Sequence, residues 1–321
     1  MKALHDISCI AMVALALGFT SCIDEDLSDC PPDVPPGRMV TIEYEVQAQT
    51  ISDAFEGTIS TLDVGFWNAP VTLTFSDRIT SDEMPDNIYR VTLPLDNYNH
   101  LALANFPSTS VNSKSDSPFE SNMEQSELRL KQTDEGYIPP VGTEVYAGHI
   151  AINLDEAAGQ ETDVRYHVPL YPCVAKMEIQ VLYPEDYKNV RAYIEGTACC
   201  YKLTSEAYEY DNKLLLDLNS SVLSQDETQS TYSCTAFPCS GAKTTKADDE
   251  NLPDEYYWKA VFRVDREGRT DQIIYYVSDP SLDIQEGQLV RAVFDLGKAD
   301  TTTGVVIDTN WEPGGEYNPE I

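Results

Sequence analysis

Hydrophobic and polar residues alternate with period two along most of the chain beyond residue 39. Val40, Ile42, Tyr44, Val46 and Ala48 fall on one face of the first run, with Thr41, Glu43, Glu45 and Gln47 on the other. Such alternation sets one face of a strand on a core and the other in solvent. Similar runs occupy 62–67, 71–75, 88–93, 100–105, 144–152 and 164–170. In 174–183 the odd-numbered residues Ala175, Met177, Ile179 and Val181 form the core face, opposite Lys176, Glu178 and Gln180. Further runs lie at 190–197, 214–218, 232–237, 256–264, 272–277, 289–296 and 304–307. Segment 119–131 is spaced for one short helix, with Met123, Leu128 and Leu130 on a loosely apolar face. Segments 107–118 and 243–253 are polar and read as loops. Short strands between Gly and Pro turns predict an all-β fold of two consecutive β-sandwich domains. The expected domains are 39–170 and 171–321, with the junction at Leu170, Tyr171 and Pro172. No repeat of 20–50 residues occurs, which argues against a solenoid or propeller.

The first residues follow a different rule. Lys2 precedes an apolar run at 10–17, too short for the ~20 apolar residues that a membrane-spanning helix needs. Phe19-Thr20-Ser21-Cys22 closes that run and resembles a bacterial lipobox. Residues 1–21 then form a lipoprotein signal peptide, and Cys22 carries the lipid and becomes the mature N-terminus. Several acyl chains, palmitate among them, at ~0.8 kcal/mol per buried methylene would hold a soluble body on a membrane. Asp24, Glu25 and Asp26 follow directly and resemble a surface-export signal of Bacteroidetes lipoproteins. Residues 22–38 form a tether, stiffened by Pro31, Pro32, Pro35 and Pro36, which favour extended polyproline geometry.

Composition narrows the set of partners. The 321 residues include 54 Asp+Glu against 21 Lys+Arg, a net charge of −33. Removal of the signal takes away Lys2 and Asp6, one charge of each sign, and leaves that value unchanged. So acidic a body repels phosphate, which excludes nucleic acid and anionic headgroups as partners. A covalent lipid is the consistent anchor. A hydrophobic content of 42% with 10% aromatics excludes an acidic disordered chain.

Beyond Cys9 in the signal and Cys22 on the lipid, Cys30, Cys173, Cys199, Cys200, Cys234 and Cys239 remain. An even number of thiols in an exported chain permits disulfides, in fifteen pairings that sequence does not choose among; buried free thiols are the alternative. The spacings do not match a paired C-x2-C zinc pattern, and no calcium loop of D-x-[DN]-x-[DN]-G form occurs, so no metal or other cofactor is expected. His100, His149 and His167 are scattered over predicted strands and read as satisfied strand residues. Trp67, Trp258 and Trp311 read as core or sheet-edge residues before sugar platforms. No H-E-x-x-H, G-x-S-x-G, G-x-G-x-x-G or Walker pattern occurs, so no catalytic residue is assigned.

Two segments carry a family resemblance. Cys22 with Glu25-Asp26-Leu27-Ser28-Asp29-Cys30-Pro31, and Leu170-Tyr171-Pro172-Cys173-Val174-Ala175-Lys176-Met177-Glu178-Ile179, resemble the mature N-terminus and the second-domain opening of FimB-type fimbrial anchor lipoproteins of the Bacteroidales. The order of lipobox, tether and two β-rich parts agrees over nearly the whole chain. The resemblance implies two transthyretin-like sandwiches in a non-enzymatic lipoprotein of the outer membrane surface. It would anchor or begin a pilus by strand addition to a neighbouring pilin. An anchor of this kind keeps its own first strand, here 40–48. Val305, Val306 and Ile307 are then a candidate donor strand, or else the last strand of the second sandwich. Arg38 offers a trypsin-like processing site, which would make the chain a polymerising pilin instead. Two other readings stand beside these: a surface adhesin for a glycan, host or bacterial ligand, and a glycan hydrolase needing two close carboxyls.

Overall fold

The computed structural model describes residues 37–68, 72–109, 111, 117–154, 164–211, 213–239, 242–243, 255–256, 258–277, 283–298 and 305–306. Strands dominate, and among the described residues the only helical turns are short 3-10 segments. In chain order they begin with β1 (Gly37–Val46), β2 (Thr61–Asn68), β3 (Thr72–Thr80), β4 (Ile88–Pro94) and β5 (Asn97–Ala104). Next come β6 (Glu127–Arg129), β7 (Tyr137–Ile138), β8 (Tyr146–Asn153) and β9 (Val164–Pro172). The second half opens with β10 (Ala175–Leu182), β11 (Lys188–Glu195), β12 (Ala198–Lys202), β13 (Ala207–Tyr210), β14 (Leu215–Asp217), β15 (Val222–Gln225) and β16 (Gln229–Ala236). It ends with β17 (Ala242–Lys243), β18 (Glu255–Tyr256), β19 (Trp258–Arg266), β20 (Arg269–Val277), β21 (Leu289–Asp295) and β22 (Val305–Val306).

The first half builds a seven-stranded sheet in the order β3-β2-β5-β8-β9-β1-β4. The second half builds two five-stranded sheets, β15-β16-β10-β21-β22 and β20-β19-β11-β14-β7, with a three-stranded sheet β13-β12-β6 and the pair β17-β18. The arrangement is the expected all-β, sandwich-like one. Two short strands cross the 170/171 junction: β6 pairs with β12 and β7 with β14. The buried apolar side chains of both halves form one connected cluster.

Alternation drives the burial. Val40, Ile42 and Tyr44 of β1 are buried, and β10 alternates buried and half-buried along its whole length, with the odd residues inside. Trp67 and Trp258 are fully buried. Trp67 meets Phe119 edge to face, and Trp258 packs near Phe294, which also contacts Phe262 and Tyr275. Each fully buried ring of this kind contributes about 2 kcal/mol from removal of apolar area from water.

The expected helix at 119–131 is absent. A single 3-10 turn at Met123–Gln125 leads into β6. Leu128 and Leu130 are both buried, and their spacing of two is a strand period, which pairing with β12 rewards. Gly287 joins the halves. It has φ +74°, its N–H donates to Val174 O, and Ser52 N–H donates to its carbonyl. A Cβ there would lie 2.0 Å from Thr50 O, so only glycine fits both the backbone and the space.

Candidate functional site

The N-terminal sites predicted from sequence, Cys22, Asp24, Glu25 and Asp26, lie outside the described residues, as do Cys30, Ile307 and Trp311. The strand they lead into is well defined. β1 is enclosed on both sides, antiparallel to β4 from Gly37↔Pro94 to Glu43↔Ile88 and parallel to β9 from Val40↔Val164 to Val46↔Leu170. Arg38 is half-buried, opposite Leu93, within β1 rather than ahead of it.

A buried polar contact locks β1 into its sheet. Tyr44 Oη lies 2.9 Å from His100 Nε2, and His100 Nδ1 lies 3.0 Å from Gly65 O. A carbonyl only accepts, so Nδ1 carries the proton and Nε2 accepts from the Tyr44 hydroxyl. His100 is fully buried and stacks on Phe66 at 4.3 Å. Burial pushes its pKa down to about 4, against a raising effect of the Gly65 hydrogen bond. Burial also holds the Tyr44 hydroxyl well above its ordinary range. At the outer end of β1, Glu45 pairs with His167 at 3.0 Å, and His149 pairs with Glu206 at 3.2 Å. All three histidines beyond the signal are thus partnered strand residues.

At the other end of the chain, β22 lies at the edge of the β10 sheet, antiparallel to β21. Val305 and Val306 stand opposite Phe294 and Val293, two pairs in all, whereas β21 makes seven pairs with β10 on its other side. The candidate donor segment therefore closes the edge of its own sheet in this structure. The opposite edge of that sheet, β15, is exposed throughout, with Leu223 66% accessible.

The five described cysteines, Cys173, Cys199, Cys200, Cys234 and Cys239, are free thiols, four of them buried. The disulfides that an even count permits do not form among them. Cys199 and Cys200 are neighbours in β12, where the pairing with β13 shifts register between Ala198 and Cys200. Burial pushes the thiols up, Cys234 to about 12. Cys200 lies near Glu127 and Glu209 in a grouping that resembles a metal site. Its carboxylates are already neutralised. Arg129 bonds Glu127 at 2.8 Å and Glu209 at 2.5 Å, and Lys202 bonds both acids. Burial raises the Glu127 carboxyl, but hydrogen bonds from Arg129 and Lys202 outweigh it and bring it down to about 2. Burial lifts the Cys200 thiol to about 12. Two acids, two cations and a protonated thiol make an ion-pair network, and its donor set does not suit a metal ion.

Sequence reasoning missed the Tyr44–His100 contact, which spans 56 residues. It also missed Lys176, which bridges the halves by pairing with Glu144 at 2.6 Å and donating to Ala54 O at 2.7 Å. Period-two patterns carry no signal for either.

Comparison with known proteins adds to this geometry. A sequence model of the family described as fimbrillin-A associated anchor proteins Mfa1 and Mfa2 matches residues 27–300. No curated protein matches the chain. Solved structures share the fold at low identity. A candidate adhesin from Bacteroides ovatus is 13% identical, with TM-score 0.57 over 81% of this chain and 90% of that one. A candidate polysaccharide-binding protein from Bacteroides thetaiotaomicron is 12% identical, with TM-score 0.56 over 84% and 96%. The fimbrial anchor protein Mfa2 from Porphyromonas gingivalis is 13% identical, with TM-score 0.52 over 80% and 91%.

Proposed function

Because the chain belongs to the family of fimbrillin-A associated anchor proteins, we propose that it is a non-enzymatic lipoprotein that fastens a pilus to the outer membrane. Lipid on Cys22 holds it there, Asp24, Glu25 and Asp26 direct it to the outer face, and the proline-rich tether carries the body outward. The observation that supports this most is the seating of β1. A subunit that accepts a neighbour's strand needs an open groove. Here the first strand fills its own place between β4 and β9, with Val40, Ile42 and Tyr44 buried. A subunit whose first groove is filled by its own strand, and whose N-terminus is lipidated, suits the base of a polymer.

Strand addition to the neighbouring pilin then uses the C-terminal segment. Val305, Val306 and Ile307 are the proposed donor residues, since only two residue pairs hold Val305 and Val306 at the β21 edge. Donation would exchange that short pairing for a longer one in the neighbour. Processing at Arg38 supports a polymerising pilin less well. Cleavage there frees the tether but leaves β1 held by β4 from Met39 to Glu43 and by β9 from Val40 to Val46, so no groove opens in the first sheet.

The test is a Cys22→Ala strain carrying the otherwise intact chain. Pili are expected in the medium instead of on cells. Pili that stay attached at the normal number would overturn the anchor role. Deletion of 304–321 tests the donor segment separately: the truncated chain should still reach the surface but lose its pili. Retained pili would leave β22 as a last strand only.

A further inference from the structure

Tension along the chain has a defined route through this fold. β1 starts at Gly37, opposite Pro94, and runs to Val46, opposite Leu170, where the chain passes to the second half. β9 lies parallel beside it, and only Cys173 and Val174 separate β9 from β10. β21 lies parallel beside β10, from Leu289 opposite Lys176 to Asp295 opposite Leu182. Gly287, just before β21, donates to Val174 O and accepts from Ser52 N–H, so β21 starts at the junction of the halves. β1 therefore begins, and β21 ends, far from the junction and on either side of it.

Both strand-to-strand steps on this route are lap joints. Among the described strands parallel pairing occurs three times: β1–β9 and β10–β21, with seven residue pairs each, and the two-pair contact of β7 with β14. Tension draws β1 toward its own start and β9 toward its end, and it draws β10 toward its start and β21 toward its end. Parallel neighbours drawn in this way slide lengthwise past each other. Their hydrogen bonds are evenly spaced between the strands, so a lengthwise pull strains every pair of a joint together. A pull across the strands strains the end pair alone. Each joint overlaps over roughly 20 Å of strand. Sliding by one residue would also turn the core face outward. Ile42, Tyr44 and Val168 are buried at the first joint, and Ile179, Ala292 and Phe294 at the second. Neither β1 nor β21 is an edge strand: β4 flanks β1 over seven pairs, and β22 flanks β21 over two. Across the second joint, Arg291 pairs with Glu178, its partner in register, at 2.8 Å.

We infer that the protein is a tension-bearing link, with β1–β9 and β10–β21 acting in series as two shear joints between the N-terminal tether and the segment after β21. Load passes from β1 to β9 across seven pairs, along the backbone through Cys173 and Val174, and from β10 to β21 across seven more. A chain that joined its ends through antiparallel hairpins would instead unzip pair by pair. The inference goes beyond the anchoring role. It depends on strand direction and not on what pulls at either end, so it stands or fails apart from that role.

The mature chain, with Cys22→Ser and Cys30→Ser, is pulled in optical tweezers by one handle on its N-terminal tether. The second handle sits on Lys298→Cys, just past β21, or on Thr92→Cys, opposite Met39 in β4. The first geometry pulls both joints lengthwise, and the second pulls the start of β1 across its strand. Forced unfolding reads the unfolding barrier, so at one loading rate the first rupture should need at least about twofold more force in the Lys298 geometry. Arg90→Cys, exposed on β4 opposite Thr41, should give the same low force as Thr92→Cys and guards against damage by that substitution. Equal or lower force in the Lys298 geometry than in both β4 geometries would overturn the inference.

Discussion

Acidification should loosen β1, and His100 sets the size of the effect. Its folded pKa is about 4, and its unfolded value is about 6.5. Between those values the unfolded chain binds a proton that the folded chain refuses, so stability is full above the upper value and falls with pH through the window. The gap of about 2.5 units is worth about 3 kcal/mol in total, of which about 2 kcal/mol is lost by pH 5. The comparison is with His100→Gln, which does not titrate. Glutamine retains a donor for Gly65 O and an acceptor for Tyr44. The exposed Glu45–His167 and Glu206–His149 pairs remain in both proteins and cancel. Urea unfolding of each protein at pH 7 and pH 5, followed by tyrosine and tryptophan fluorescence, gives the difference directly. The stability of the wild type relative to His100→Gln should drop by about 2 kcal/mol at the lower pH. An equal difference at both values would refute the buried, neutral histidine and its tie to Tyr44.

Asp63 works in the opposite sense. Burial raises its carboxyl to about 6, against the lowering effect of its Arg78 hydrogen bond and charge. Wild-type stability relative to Asp63→Asn should therefore fall by about 3 kcal/mol as pH rises from 3.5 to 7, measured by the same unfolding assay. Gly65→Ala would set a Cβ 2.3 Å from the Trp67 ring and should cost about 1–3 kcal/mol, read as a lower urea midpoint; an unchanged midpoint would show that Trp67 can move aside. The thiols at 173, 199, 200, 234 and 239 should resist an aromatic disulfide reagent in the folded chain at pH 8 and all react in denaturant without reductant, as peptide mapping would show. A cross-linked pair among them would contradict the free thiols.

The long strands were readable because one face of each meets the core. β10 shows this plainly, since Ala175, Met177, Ile179 and Val181 are the buried residues, and in β1 Val40, Ile42 and Tyr44 are buried at the same spacing. Strands without that contrast escaped the reading. β12 is buried at four successive residues, so both its faces are covered and no alternation remains. β15 is exposed at all four positions, and β6 and β7 are too short to show a period. The apparent helix at 119–131 came from reading Leu128 and Leu130 at a loose helical spacing when pairing with β12 decides their geometry. Cysteine parity pointed toward disulfides, because counting thiols says nothing about where the strands aim them. The Tyr44–His100 lock and the Lys176 bridge each join residues far apart in sequence. The lipobox and acidic tether are legible only as sequence, since they precede the described residues.

The central claim is that this chain stays on the membrane through its own N-terminus, with β1 retained. Mass spectrometry of the mature protein taken from the cell surface tests it most directly. The account predicts an N-terminal peptide that begins at Cys22 and carries acyl chains. An unmodified chain that begins at Met39, after cleavage at Arg38, would contradict it.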